Sequence, residues 1–132
     1  ILLDVEDFKA INDHYGHLVG DDYLRKIAQI IERTFDNREM TAGRYGGEEF
    51  GFVMPNSDIE SAATLAEKIR CTIENEKITH VGSSRGIVTV SLGVAAMRPH
   101  AGANPELIIA AADAALYLAK QNGKNRIELA GK

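Results

Sequence analysis

Arg44-Tyr45-Gly46-Gly47-Glu48-Glu49-Phe50 stands between two short extended runs, Thr41 to Tyr45 and Glu49 to Met54. Gly-Gly between such arms predicts a tight hairpin, because glycine takes φ > 0 without steric cost. A hairpin here puts two antiparallel strands in the middle of the chain. It also delivers two carboxylates at the start of the return strand. Successive strand residues face opposite sides, so Glu48 and Glu49 are expected to do different jobs. Taken alone, acids after a glycine pair also describe a solvated turn.

Working outward, Ile1-Leu2-Leu3-Asp4-Val5 reads as a buried strand interrupted by one acid, which is costly unless a cation or a partner meets it. Phe8, Ile11 and Tyr15 follow helical spacing, and Gly16 is placed to end that helix. A longer helix is expected to open at Val19-Gly20-Asp21-Asp22, with Leu24, Ile27, Ala28, Ile31 and Phe35 on its apolar face. Beyond the hairpin, Pro55-Asn56-Ser57 is a stop, and Ser57 or Asp58 caps a helix running to about Glu76. Ile87 to Met97 alternates large and small residues as a strand. Asn104-Pro105-Glu106 opens a helix to Gln121, with Leu107, Ala111, Ala114 and Leu118 read as its face. Arg126 to Leu129 is a last short strand. The order β-α-α-β-β-α-β-α-β predicts an α+β fold: a mainly antiparallel sheet with helices packed on it, related to the ferredoxin-like arrangement.

The chain has 132 residues, 45% hydrophobic and 26% charged, which suits one domain with a proper core. A net charge of −4 argues against a broad nucleic-acid surface but allows a local basic pocket for phosphate. The single cysteine, Cys71, excludes a disulfide framework, and it reads as a packed or half-exposed thiol. No apolar run is long enough to span or contact a membrane. The chain starts at Ile1, apparently within a strand and without Met, so it reads as part of a longer protein, the expected location being cytoplasmic.

If the Asp4 strand and the hairpin are neighbours, Asp4 and Glu48 meet at one sheet edge and repel unless a cation neutralises them. Oxygen ligands with open positions suit Mg²⁺ or Mn²⁺, the remaining ligands being waters and phosphate oxygens. Lys9, Lys120 and Lys124 supply positive charge for phosphoryl chemistry, although each also reads as a solvated surface cation. His14 and His17 lack metal-binding spacing, and His80 and His100 read as exposed loop residues.

The chain closely resembles the GGDEF family, the catalytic domain of diguanylate cyclases. The resemblance is carried by Asp4 to Lys9, Ile11-Asn12-Asp13, Tyr15-Gly16-His17, Gly20-Asp21, Arg44 to Phe50, Thr89 to Val94, Ala112 to Tyr117, Lys120 and Gly123 to Arg126, in the family's order. It implies a fold like the palm of class III nucleotide cyclases, and condensation of two GTP to cyclic di-GMP. It implies Mg²⁺ held by Asp4, Glu48 and the Val5 carbonyl, with Glu48 or Glu49 helping to deprotonate the 3′-hydroxyl. Asn12 and Asp21 match the guanine-reading pair and His17 a substrate contact. Lys9 matches the transition-state cation, and the Phe8 backbone, Lys120 and Lys124 the triphosphate contacts. A homodimer is implied, since each domain holds one GTP. Two positions depart from the family: Asn37 and Met40 stand where many members carry an Arg-x-x-Asp product-feedback site, so that site is expected to be missing. A non-catalytic GTP-binding module and a metal-dependent nucleotide hydrolase are the rival readings.

Overall fold

Strand β1 (Leu2–Val5) is the middle of a five-stranded sheet of order β2-β3-β1-β4-β5. The computed structural model describes residues 1–35 and 40–131. On one side β1 pairs antiparallel with β3 (Glu49–Val53), and β3 pairs with β2 (Thr41–Arg44). On the other side it pairs antiparallel with β4 (Val90–Val94), which takes β5 (Ile127–Leu129) as a parallel edge. The expected α+β architecture and element order are observed, with one parallel pair in an otherwise antiparallel sheet.

The pleat sorts β1 into two faces. Leu3 and Val5 point into the main core with Phe50, Phe52, Val90 and Leu92. That face is covered by α1 (Phe8–Tyr15), α2 (His17–Thr34) and α3 (Ile59–Asn75) through Ile11, Ile27, Ile31, Ile69 and Ile73. The opposite face carries Leu2, Asp4 and, in register with Leu2, Gly93. Helix α4 (Glu106–Gln121) lies against it so closely that a Cβ at Gly93 would run into the Ala112 carbonyl and the Leu116 backbone. Gly93 therefore marks the close helix contact.

Several expectations are corrected. The loop between β2 and β3 is four residues, Tyr45 to Glu48, closed by the Tyr45 N–H donating to the Glu49 carbonyl at 2.8 Å. Neither Gly46 nor Gly47 takes a left-handed φ, so conformational freedom is not what these glycines supply. Helix α2 begins at His17 rather than at Val19, because Gly16 (φ +92°) ends α1 and caps α2 at once. The buried face of α4 is Ala112, Ala115, Leu116 and Ala119, while Leu107, Ala114 and Leu118 are exposed. An alanine-rich helix carries two apolar stripes of equal spacing; the stripe with the smaller side chains lets the backbone approach Gly93. His80 is fully buried rather than exposed, its Nε2 3.1 Å from the Asp7 carbonyl. Met40 is buried in the core, and Asn37 lies outside the described residues.

Candidate active site

Asp4 stands opposite Glu49 on β3 and Ser91 on β4, on the face that α4 covers. It is 5% exposed. One carboxylate oxygen is ion-paired with the Lys120 ammonium from the last turn of α4, and the other, Oδ1, is buried without a hydrogen-bond partner. Burial pushes the Asp4 carboxyl above its ordinary range; Lys120 pulls it back, and the nearby Glu48 charge adds to the rise. Glu48 is half-buried at the end of the turn, tied to β1 by the Val5 N–H donating to its carbonyl at 3.1 Å. Glu49 is also raised, first by burial and then by Asp4. Lys120 is held above its usual value: burial opposes its charge, and Asp4, Glu6 and Glu49 together outweigh that.

Past β1 the chain turns sharply at Glu6-Asp7. Glu6 is 6% exposed, with Oε1 buried and unpartnered, and burial raises its carboxyl too. Asp7 adopts φ +53° and its carbonyl receives the Ala10 and Ile11 N–H groups, so α1 starts at once at Phe8. The first N–H groups of a helix have no partner within it and suit an anion. Lys124 reaches this turn from beyond α4, its Nζ 3.1 Å from Asp7 Oδ1 and 4.0 Å from Glu6 Oε2. Lys9 is exposed on the first turn of α1.

A second group of polar residues lies along α1 and α2. The Asn12 amide packs directly onto Gly20, where a Cβ would overlap it, and its Oδ1 is buried without a partner. Asp21 follows Gly20 and is exposed, and His17 is exposed at the start of α2. The structure thus gathers Asp4, Val5, Glu48, Glu49 and Lys120 at the end of β1, Phe8 and Lys124 at the adjoining turn, and Asn12 with Asp21 on the neighbouring helices. An apolar groove of about 390 Å³ opens at the other end of β1, beside Leu2, Gly51, Val53, Ala95, Met97 and Ile109, and neither Asp4 nor Glu48 lines it.

The model of the family described as diguanylate cyclase, GGDEF domain, matches residues 1–126. The chain belongs to the GGDEF family. This GGDEF domain is 40% identical over 129 residues to diguanylate cyclase A of Treponema denticola, covering 98% of this chain and 34% of the relative. It is 41% identical over 129 residues to diguanylate cyclase VdcA of Vibrio cholerae, covering 96% and 37%. The chain therefore spans about a third of the length of these curated relatives. It superposes on the GGDEF domain of DgcB from Caulobacter crescentus, solved with c-di-GMP, with a TM-score of 0.87 at 35% identity, covering 99% of this chain and 76% of that one. The active GGEEF domain of a Vibrio cholerae diguanylate cyclase gives 0.81 at 32% identity, covering 99% and 81%. GTP as substrate and c-di-GMP as a bound nucleotide are implied by the family, which generally uses a divalent metal. Among the described residues no three His, Cys, Asp or Glu side chains cluster to hold a metal. The donors present still fit a hard cation that keeps open positions: Asp4 Oδ1 is buried without a partner, and Glu48 lies near enough for its charge to raise the Asp4 carboxyl.

Glu6, Asp7 and His80 were not legible as site neighbours. An acid immediately after a buried run, as Glu6 is after Val5, was the available signal. Gly20 gives a further test. Gly20→Ala adds a good helix former inside α2, worth about 1 kcal/mol of propensity, while its methyl would overlap the Asn12 amide and press on Phe8 Cζ at 3.3 Å. The two effects oppose each other, so the variant is expected to melt within a few degrees of the parent and to bind GTP roughly tenfold more weakly. Thermal melts beside GTP titrations check both.

Proposed function

We propose that this domain is a diguanylate cyclase, joining two GTP into cyclic di-GMP with release of two pyrophosphates. The observation that carries the reading is the buried Asp4 carboxylate, one oxygen paired with Lys120 and the other unpartnered, beside the glycine-turn acid, with Lys124 on Asp7 at the adjoining turn. The same five residues that describe the active Vibrio cholerae GGEEF domain occur here as Gly46 to Phe50.

Asp4, Glu48 and the Val5 carbonyl would hold Mg²⁺ or Mn²⁺. Such an ion supplies Lewis acidity at the α-phosphate and acidifies the attacking 3′-hydroxyl. The chain's own residues do the rest. Lys120, Lys124 and the Phe8 backbone hold the triphosphate, and Lys9 neutralises charge that develops in the transition state. Asn12 and Asp21 satisfy the guanine O6 acceptor and the N1–H and N2–H donors, which adenine lacks. His17 contacts the substrate. Glu48 or Glu49 accepts the 3′-hydroxyl proton. One domain offers one base-reading pair, so two domains face each other antiparallel, each hydroxyl attacking the other GTP's α-phosphate in line.

The whole chain, 1–132, acts as this catalytic domain in the cytoplasm, within a longer protein such as its curated relatives, including the cytoplasmic part of a sensor or membrane protein. Among the described residues no helix is long and apolar enough to cross a membrane. Asn37 and Met40 leave it without the product-feedback site.

Product analysis with GTP and Mg²⁺ across a protein concentration series tests the reading. Cyclic di-GMP formed per protein should rise with concentration while GTP affinity stays constant. GDP as the product, or bound GTP without turnover at high concentration, rejects it. Metal binding has its own signature. Asp4, Glu6 and Glu49 all have raised carboxyl values, so their ionised forms cost stability, a cost relieved as pH falls through those values. A cation relieves it without a proton. Mg²⁺ should therefore raise Tm at neutral pH by a few degrees, roughly in line with ligand linkage, with the increment shrinking on acidification. Asp4→Asn should abolish most of the increment in the same melts.

A further inference from the structure

We propose that Arg70 and Glu74 on α3, acting through Asn125, are positioning residues that aim Lys124 at the triphosphate. The inference rests on the reading of Lys124 as a triphosphate contact. Lys124 lies in an unusual piece of chain. Gly123, Lys124 and Asn125 all have positive φ, +123°, +63° and +48°. Glycine and asparagine tolerate this region, but a lysine has no side-chain group that stabilises it. Such strain persists only where the surroundings fix it.

The surroundings here are side chains from α3 and the loop after it. Asn125 Oδ1 accepts from Arg70 Nη1 at 2.9 Å, and its Nδ2 donates to Glu74 Oε2 at 2.5 Å, so the amide is used in both directions. Arg70 Nη1 also donates to Glu74 Oε1 at 3.1 Å, which closes a triangle. Arg70 cannot swing away. Its Nε and Nη2 are taken by Glu67, Nη2 also meets Cys71 Sγ at 3.0 Å, and its side chain is only 14% exposed. Every N–H of the guanidinium is thereby engaged. On the other side Arg85 Nη2 donates to the Gly123 carbonyl at 2.9 Å, and the Lys124 N–H closes onto Ala119 at 2.9 Å. The result is a braced turn from which the Lys124 side chain extends to Asp7 and Glu6, where the first helical N–H groups of α1 begin.

Arg70 has no charge to spare for a ligand, since Glu67 and Glu74 already neutralise it and are themselves held below the usual carboxylate range. Its contribution is to keep Lys124 from searching other orientations before GTP arrives. That effect belongs to binding rather than to the chemical step, and so to KM rather than kcat.

The test compares Lys124→Ala, Arg70→Gln and the double variant, measuring KM and kcat for GTP with Mg²⁺, affinity for a non-hydrolysable GTP analogue, and Tm. Lys124→Ala should raise KM about tenfold, and Arg70→Gln by roughly half that or more, with kcat within about twofold. The double variant should be no worse than Lys124→Ala, because Arg70 works only through that lysine. Asn125→Gly, which keeps the left-handed turn but loses the brace, should raise KM with Tm nearly unchanged; it also serves if Arg70→Gln does not fold. A lower Tm with unchanged KM and analogue affinity in Arg70→Gln or Asn125→Gly overturns the proposal, as do strictly additive effects in the double variant. An unchanged KM in Lys124→Ala overturns the triphosphate reading itself, and the role of the brace falls with it.

Discussion

Glu48→Gln is expected to leave a folded domain that binds GTP and makes cyclic di-GMP roughly 10³-fold more slowly, or not at all. The replacement keeps shape and removes charge. The tie between the turn and β1 runs through the Glu48 backbone carbonyl, which glutamine retains. Removing the Glu48 charge also relieves part of the repulsion on Asp4, so Tm should stay within a few degrees or rise. Quantified product, an equilibrium GTP titration and a thermal melt on the same sample separate these effects. Near-normal turnover would remove Glu48 from the mechanism. Glu49→Gln makes the instructive comparison, because Glu49 is the residue directly opposite Asp4. If Glu48 holds the ion and Glu49 takes the proton, both variants lose turnover, and only Glu48→Gln also loses the Mg²⁺-dependent rise in Tm.

Gly93→Ala is the second large effect, and it acts on the scaffold. The added methyl would overlap the Ala112 carbonyl and the Leu116 amide of α4. These are backbone atoms inside a helix, so no rotamer change makes room, and the whole helix must back away from the sheet. A loss of about 3 kcal/mol is expected, or roughly 10 °C in Tm for a domain of this size. Activity should fall further than stability alone requires. Lys120 follows the buried Ala119 on α4 and pairs with Asp4, so a retreating helix pulls that ammonium out of line. Gly51→Ala is the control on the same face. Its methyl meets only Leu2 Cδ2 at 3.7 Å and Tyr45 Cβ at 4.0 Å, ordinary contact distances, and it should be tolerated. Denaturant melts of the two variants check the contrast.

Much of this arrangement was readable from local patterns. The buried run around Asp4, the hairpin, and the starts of α3 and α4 each carry their own physical reason. Of Ser57 and Asp58, it is Asp58 that caps α3, accepting from the Ser61 N–H at 2.8 Å, and α4 starts at Glu106, one residue after the expected Pro105, with Asn104 Oδ1 accepting from the Glu106 N–H at 3.0 Å. What was not readable depends on the partner across the sheet. The inward stripe of α4 is chosen by Gly93, a residue far away in sequence, and the two stripes look alike from the helix alone. His80 reads as a polar loop residue, yet the Asp7 carbonyl gives it a contact that only tertiary structure reveals. The neighbour of Asp4 in the sheet is Glu49, whereas the resemblance directs attention to Glu48; a four-residue turn in place of two brings both acids close. The approach of Glu48 to Asp4 was expected on the condition that β1 and the hairpin are neighbours, and β1 does pair with β3.

Gly16 serves two helices at once, with φ +92° and ψ 160°, a region that side chains avoid. Asn12 sits on the helix before it and Asp21 on the helix after it, so the spacing between these two jaws is set at a single joint. Adding one residue within α2 between Gly16 and Asp21 would carry Asp21 about 100° round the helix relative to the joint, so that either Asp21 turns away from Asn12 or the apolar side of α2 leaves the core. On the proposed reading of Asn12 and Asp21 as the guanine-reading pair, the length of this linker is part of the specificity, set by the backbone rather than by either side chain.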